Sequence, residues 1–423
     1  MTARAAPVST GPAQARRAPL PGSELCVHCG FCLQACPTYL ALADENDSPR
    51  GRIVLMKALA AGALDGDDPD ARLHLDRCLG CRACETSCPS GVPYGQLLEA
   101  TRERLAERRA PPLVARALLL VFARPALLAL AMAGARALRA TRLAAALSRA
   151  PGRLGFAMAM LDSTRRDGPA PSYEPRGDGA RGDVALLEGC VMEGLFRPVN
   201  RATGRVLAEN GYRVRAAPGQ RCCGALHAHA GDAAGARALA RANISAFERS
   251  GARFVAVNAA GCGATMKEYA LLLRDEPAWR DRGAAFAARV RDVSELLADA
   301  GPRPGGALRR HVAYDAPCHL LHAQRVATPP LAVLAAIPEL DLVPLEGSEQ
   351  CCGSAGIFSL LEPHLSERVL APKLASIAES RAQVIATGNP GCLMQIGAGV
   401  SRSGGVAQLR HPVELLDESY ATR

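Results

Sequence analysis

Eight of the sixteen cysteines stand in two runs of one pattern between residues 26 and 88. Cys26-Val-His-Cys29-Gly-Phe-Cys32-Leu-Gln-Ala-Cys36-Pro37 spaces its thiols as C-x2-C-x2-C-x3-C-P, and Cys78-Leu-Gly-Cys81-Arg-Ala-Cys84-Glu-Thr-Ser-Cys88-Pro89 repeats it without a mismatch. Three thiolates at two-residue gaps wrap one corner of a cubane, and the cysteine before proline ligates the neighbouring cluster. The spacing therefore predicts two [4Fe–4S] clusters, one on Cys26, Cys29, Cys32 and Cys88, the other on Cys78, Cys81, Cys84 and Cys36. Gly30, Gly80 and Ala83 are small enough to let the backbone approach. Zinc also accepts four thiolates, but its motifs pair short C-x2-C knuckles instead of repeating a proline-closed run. Paired clusters exchange one electron at a time, so this segment reads as a wire without a catalytic residue.

The other eight cysteines form a second pattern, written twice. Cys190, Cys222-Cys223-Gly224 and Cys262 are followed 128 to 130 residues later by Cys318, Cys351-Cys352-Gly353 and Cys392. The intervals are 32 then 39 residues in the first copy and 33 then 40 in the second, the mark of an internal duplication. Eight thiols in register argue against ordinary buried cysteines and for a metal or thiol site. A disulfide framework is excluded, because such frameworks belong to short secreted domains and the first twenty residues lack the apolar stretch of a secretory signal.

The elements that must position these thiols can be read around them. In each copy an apolar run (184–187 and 312–314; 254–257 and 384–386) leads to a cysteine, with helical stretches between. Buried strands alternating with helices predict parallel sheets covered on both faces, with all eight cysteines at strand ends or turns. The expected organisation is a disordered tail over 1–22, a cluster domain over 23–105, a basic amphipathic helical connector over 106–163, a linker over 164–182, and cysteine-rich α/β domains over 183–300 and 308–420. The fold class is α+β multidomain.

The net charge of +9 is local. Residues 101–153 carry eleven arginines against Glu103 and Glu107, which accounts for the whole excess. With only 4 % aromatic residues to stack on bases, nucleic acid is excluded as a partner. The apolar stretch 117–135 is interrupted by Arg124-Pro125, which opposes a membrane-spanning helix. Lying flat, residues 112–150 would offer leucines to the interface and arginines to anionic headgroups, or cover a partner subunit. Arg50 and Arg52, in Ser48-Pro-Arg-Gly-Arg52, either raise a cluster potential, dock an acidic partner or sit in a solvated turn. His28 and His319 lie near thiols, where a histidine can tune a cluster, but an ordinary packed or exposed side chain is the favoured reading. His227 and His229 could supply a further ligand to the first copy, which the second copy's Ile357 and Ser359 do not parallel.

No phosphate-binding glycine loop for flavin, NAD or ATP is present, so a two-electron donor must be oxidised on a flavin-containing partner. Residues 23–420 resemble the iron–sulfur subunit of bacterial glycolate oxidase (glycolate dehydrogenase). The likeness is carried by the first cysteine run, Ser48-Pro-Arg-Gly-Arg52, Leu75-Asp-Arg-Cys-Leu79, Cys88-Pro-Ser-Gly-Val92, Leu187-Glu-Gly-Cys190 and Cys351-Cys-Gly-Ser-Ala-Gly356. It implies an α-helical ferredoxin domain followed by two cysteine-rich domains of the heterodisulfide-reductase type. It further implies flavin subunits that oxidise glycolate to glyoxylate, electron delivery towards the quinone pool, and a cytoplasmic location peripheral to the membrane's inner face. One departure stands out: heterodisulfide-reductase relatives end each motif in Cys-x-x-Cys, where this chain has Thr265 and Gln395. Each copy thus keeps four thiols, leaving a further iron–sulfur cluster, zinc or a thiol/disulfide catalyst open. Lactate and glycerol 3-phosphate remain alternative donors.

Overall fold

The computed structural model describes residues 20–165, 168 and 173–423. Most of the expected tail, 1–19, lies outside the described residues, as do 166, 167 and 169–172 of the expected linker. Leu20 departs from the tail reading: it is buried in the N-terminal core with Ile53, Met56, Leu75 and Leu97.

That N-terminal segment is helical, with cysteines in the connections. Its main helices are Pro37–Leu42, Pro49–Ala61, Pro69–Asp76, Ala83–Thr86 and Tyr94–Arg108. Three of them open on proline, whose missing N–H is no loss at a first helical position. Ser48 and Asp68 cap two of these starts by accepting from the N–H groups of Gly51 and Ala71. Ser48-Pro-Arg-Gly-Arg52 is thus a capped helix start, not a solvated turn.

The two copies build two four-stranded, wholly parallel sheets. The first contains β1 (Asp183–Leu186), β2 (Arg213–Arg215), β3 (Phe254–Val257) and β4 (Val290–Asp292), in the order β2-β1-β3-β4. The second contains β5 (Arg310–Tyr314), β6 (Leu340–Val343), β7 (Val384–Ala386) and β8 (Gln408–Arg410), in the matching order β6-β5-β7-β8. Val184, Ala185, Val255, Ala256, Val312, Ala313, Val384 and Ile385 are buried, as a parallel sheet sandwiched between helices requires.

The copies join reciprocally. Helix Val293–Ala300 of the first packs on Pro329–Ala335 of the second, and Pro412–Ala421 of the second packs on Arg197–Glu209 of the first. His411 links them: its Nε2 donates to the Asn258 carbonyl at 3.0 Å, while Nδ1 accepts from Val413 N–H at 3.2 Å. Burial pushes its pKa down to about 4. An unfolded histidine titrates near ~6.5, so on acidification the unfolded chain takes the proton first. This contribution is intact above that value and is lost as pH falls towards the folded pKa. Denaturation midpoints should reveal a loss of about 2 kcal/mol between roughly pH 7.5 and roughly pH 5. His411→Gln should flatten that difference.

The connector comprises helices Leu113–Ala123, Pro125–Ala140, Leu143–Leu147 and Gly152–Asp162. Proline after Arg124 cannot extend the preceding helix, and the first two helices bend by 106° at that break. No single helix among the described residues is long and apolar enough to cross a membrane. Inner positions such as Ala115 and Leu119 are buried, whereas Leu113, Val114, Leu120, Leu127 and Leu130 are exposed. There is no acidic residue from 108 to 161.

Candidate metal centres

In the first cysteine run the backbone reverses through left-handed residues, His28 at φ 55° and Gly30 at φ 88°. Cys26, Cys29, Cys32 and Cys88 line one cavity with Val27, Phe31, Pro49 and Arg50. Cys36, Cys78 and Cys81 line a second with Arg52 and Tyr94, and Cys84 borders both. The structure therefore brings the proline-linked cysteine of each run to the three thiols of the other. The two cavities differ in access. Cys29 is the one exposed cysteine of the sixteen, flanked by Val27 and Phe31 at 68 % and 67 % exposure. Around the second cavity the thiols are buried.

Arg52 is fully buried against this second set. Its Nη2 donates to Asp47 at 2.9 Å, Nη1 to Thr38 at 3.0 Å, and Nε to the His74 carbonyl at 2.6 Å. Burial opposes its charge, but Cys78, Tyr94, Cys36 and Asp47 outweigh it and keep the guanidinium charged. Tyr94 Oη and Gly80 N–H both donate to Cys78 Sγ at 3.5 Å. Burial raises the Cys36 and Cys84 thiols, and lifts Cys32 to about 11. Such thiols need a cation to become thiolates.

Each duplicated motif also collects its four thiols. In the second copy Cys318 and Cys351 are 4.0 Å apart and Cys352 and Cys392 3.4 Å. In the first, Cys190, Cys222, Cys223 and Cys262 are close enough to perturb one another's ionisation. Its neighbouring thiols hold Cys222 well below the usual thiol value, while Cys190 and Cys223 are pushed up. Gly224 and Gly353 turn the chain at φ 90° and 83°. A Cβ on Gly353 would also stand 2.7 Å from the Ser366 carbonyl oxygen, so the turn requires glycine.

One expectation needs correction. Cys262 and Cys392 are not at strand ends but in the first turns of helices Ala260–Lys267 and Pro390–Arg402. The residues at the missing fifth positions are engaged elsewhere: Thr265 Oγ1 donates to the Gly261 carbonyl at 3.2 Å, and buried Gln395 donates to Ser366 Oγ at 2.8 Å. Of the histidines, His229 turns towards Glu99 at 3.4 Å and His319, whereas His227 is buried with Nδ1 unpaired. His319 Nδ1 lies 3.6 Å from Cys318 Sγ. His28 contributes its carbonyl, which accepts from Arg50 Nη1 at 3.1 Å.

A tetrahedral zinc ion with bonds of about 2.3 Å holds its sulfurs roughly 3.8 Å apart. Among the described residues, the one trio of His, Cys, Asp or Glu ligand atoms mutually within 4.8 Å is Asp44, Asp47 and His74. Asp47 there is already bound by Arg52, Arg77 and His74. No three thiols among the described residues thus lie mutually within 4.8 Å, although the pairs Cys318–Cys351 and Cys352–Cys392 stand at 4.0 and 3.4 Å.

A helical two-run cysteine module ahead of paired parallel-sheet units, each bearing a Cys-Cys-Gly turn, defines a class of iron–sulfur proteins built for electron transfer. The 4Fe-4S dicluster domain family matches residues 22–92, and the cysteine-rich domain family matches 184–267 and 312–397. The chain is 36 % identical to the probable glycolate oxidase iron–sulfur subunit of Bacillus subtilis over 414 residues, 93 % of either chain. It is 33 % identical to the glycolate oxidase iron–sulfur subunit of Escherichia coli over 406 residues, again 93 % of each. Lactate utilization protein A of Exiguobacterium is 29 % identical over 238 residues, 56 % of this chain and 97 % of that protein. The chain belongs to the family of glycolate oxidase iron–sulfur subunits.

Proposed function

We propose that this chain carries electrons from flavin-containing partner subunits, which oxidise glycolate to glyoxylate, towards the quinone pool on the inner face of the cytoplasmic membrane. Cys26, Cys29, Cys32 and Cys88 would hold one [4Fe–4S] cluster and Cys78, Cys81, Cys84 and Cys36 the other. A further iron–sulfur group would bind within the Cys190, Cys222, Cys223, Cys262 and Cys318, Cys351, Cys352, Cys392 sets. The observation that carries the reading is the gathering of all sixteen thiols into four groups. Such groups supply one-electron steps, and two of them account for a hydroxyacid oxidation that releases two electrons and two protons. The chain's own residues hold the thiols, bury them and set the surrounding charge.

The test is to isolate the native complex without oxygen, count iron per chain, and add glycolate. More than eight irons and bleaching of the cluster absorbance by glycolate are expected, with lactate and glycerol 3-phosphate responding less. Preferential bleaching by lactate would favour the second reading, prompted by the lactate utilization relatives. Bleaching by neither acid would sink both.

The exposed Val27 and Phe31 beside Cys29 suit the docking face for the flavin partner, since electron transfer falls off with distance. The bent basic hairpin suits an anionic bilayer: its exposed leucines would enter the interface while Arg116, Arg124 and Arg142 meet headgroups. Co-sedimentation with vesicles containing anionic lipid should be strong and should weaken at least tenfold in Leu113→Glu/Leu130→Glu. Equal binding by the variant would reject the lipid contact.

A further inference from the structure

The duplication makes the two Cys-Cys-Gly sets look equivalent, yet the N-terminal module meets them differently. Towards the first copy it presents charge. Arg82 pairs with Glu268, Glu99 with His229, and Glu103 with Arg237. Towards the second it presents mainly thiol and hydrocarbon. Cys81 and Cys351 share a buried apolar cluster with Leu79, Ala83, Cys318, Phe358, Leu365 and Val369, beside which Thr86 Oγ1 meets His322 Nδ1 at 2.7 Å. A buried, largely apolar contact between two ligand sets favours electron transfer, because little solvent must reorganise around the moving charge.

Beside the thiols, one side chain of the second copy bridges to the first, in addition to the helix contacts between the copies. Asn389 Nδ2 donates to Cys392 Sγ at 3.4 Å, and its Oδ1 accepts from the N–H of Gly261, the neighbour of Cys262, at 3.3 Å. The Ala260 N–H donates to the Gly388 carbonyl at 3.1 Å beside it. Cys262 is also the only partly exposed thiol of these eight. Cys190 leads into helix Val191–Leu195, which packs on the Pro125–Ala140 arm of the hairpin. There Arg136 donates to the Gly194 carbonyl at 3.0 Å.

We infer that the thiol sets act in one fixed order, with the second copy as an obligatory relay from Cys81 through Cys351. The first copy is then the terminal centre beneath the hairpin, and Asn389 is the positioning residue that joins the copies. The inference rests on the proposed electron-transfer reading. Each transfer moves one electron and makes or breaks no covalent bond. Two transfers serve one hydroxyacid, whose two protons leave at the donor subunit. They reduce one quinone to quinol, which takes two protons from water.

The order is tested on the full chain in its native complex, with iron counted in every sample. In the fully reduced wild type, electron paramagnetic resonance should find the ferredoxin-type signals broadened by a neighbouring spin. Cys351→Ala/Cys352→Ala should narrow those signals to the broadening the two ferredoxin-type centres impose on each other, whereas Cys222→Ala/Cys223→Ala should leave them as in the wild type. The reverse pattern, or the same spectrum in both variants, overturns the order. Should a double variant fail to fold, Asn389→Ala decides. Its loss of an N–H···S bond should lower the potential of the second-copy centre alone, at unchanged iron content. No shift, or a shift of the ferredoxin-type centres, overturns the bridge. Eight irons per wild-type chain, or more than eight with a contrary spectrum, would remove only the order, whereas no bleaching of the clusters by any hydroxyacid would remove the functional reading.

Discussion

Arg52→Met is expected to destabilise the N-terminal module by about 3 kcal/mol and to lower the potential of the centre nearest Cys36 and Cys78. Arg52 and Asp47 have side chains 1 % and 0 % exposed, so neither charge can fall back on water. Breaking a buried pair from one side costs about 3–5 kcal/mol, because the surviving charge stays desolvated. The lower end applies here, since His74 at 3.2 Å and Arg77 at 3.4 Å remain beside Asp47. Thr38 Oγ1 and the His74 carbonyl would also lose their donor. A cation next to a centre favours its reduced, more negative state, so removing it moves the potential down. Arg52→Lys separates the effects: it keeps the charge but not the three-way fork, so it should restore the potential while leaving much of the instability. Unfolding by denaturant and a redox titration would read the two outcomes. An unchanged potential in Arg52→Met would show that the arginine is only structural.

Lys373→Met should act on the second duplicated unit with similar force, about 3–5 kcal/mol. Lys373 pairs with Asp315, both with side chains 2 % exposed, and donates to the carbonyls of Gly347 at 3.1 Å and Ser348 at 3.2 Å. One ammonium thus ties the end of β5 to the loop that leads into Cys351-Cys352. Asp315 would be left with the Thr387 hydroxyl at 2.9 Å as its remaining side-chain donor. Iron held by the second set should fall, while the ferredoxin-type signals persist. Asp315→Leu combined with Lys373→Met should recover most of the stability, because the cost lies in the stranded charge. Additive losses in the double variant would refute that account.

Both ion pairs escaped the sequence reading for a physical reason. Arg52 and Lys373 have the composition of surface residues, and their partners Asp47 and Asp315 give no local signal of burial. On sequence alone Ser48-Pro-Arg-Gly-Arg52 reads as a solvated turn or as charges that tune a cluster or dock a partner. The choice depended on Ser48 capping Gly51 and on a pocket formed by Thr38 and His74, fourteen and twenty-two residues away from Arg52. The short strands β2, β4, β6 and β8 carry too few residues for periodicity to identify them. Cys262 and Cys392 were read as strand ends because Gly-Cys follows an apolar run. In the structure the chain turns first, and the cysteine enters the next helix.

By itself the sequence determined the chemistry: cluster ligation depends on the spacing of a few neighbouring residues, and a duplication is visible as matched intervals. Parallel sheets also followed, since buried strands and intervening helices have opposite periodicities. Only the tertiary structure decided which copy meets which partner. Two copies with the same motif are interchangeable on paper. Their equivalence is broken by long-range contacts, Cys81 against Cys351 on one side and Arg82 against Glu268 on the other. Those contacts depend on the packing of whole units, and no local pattern along the chain records it.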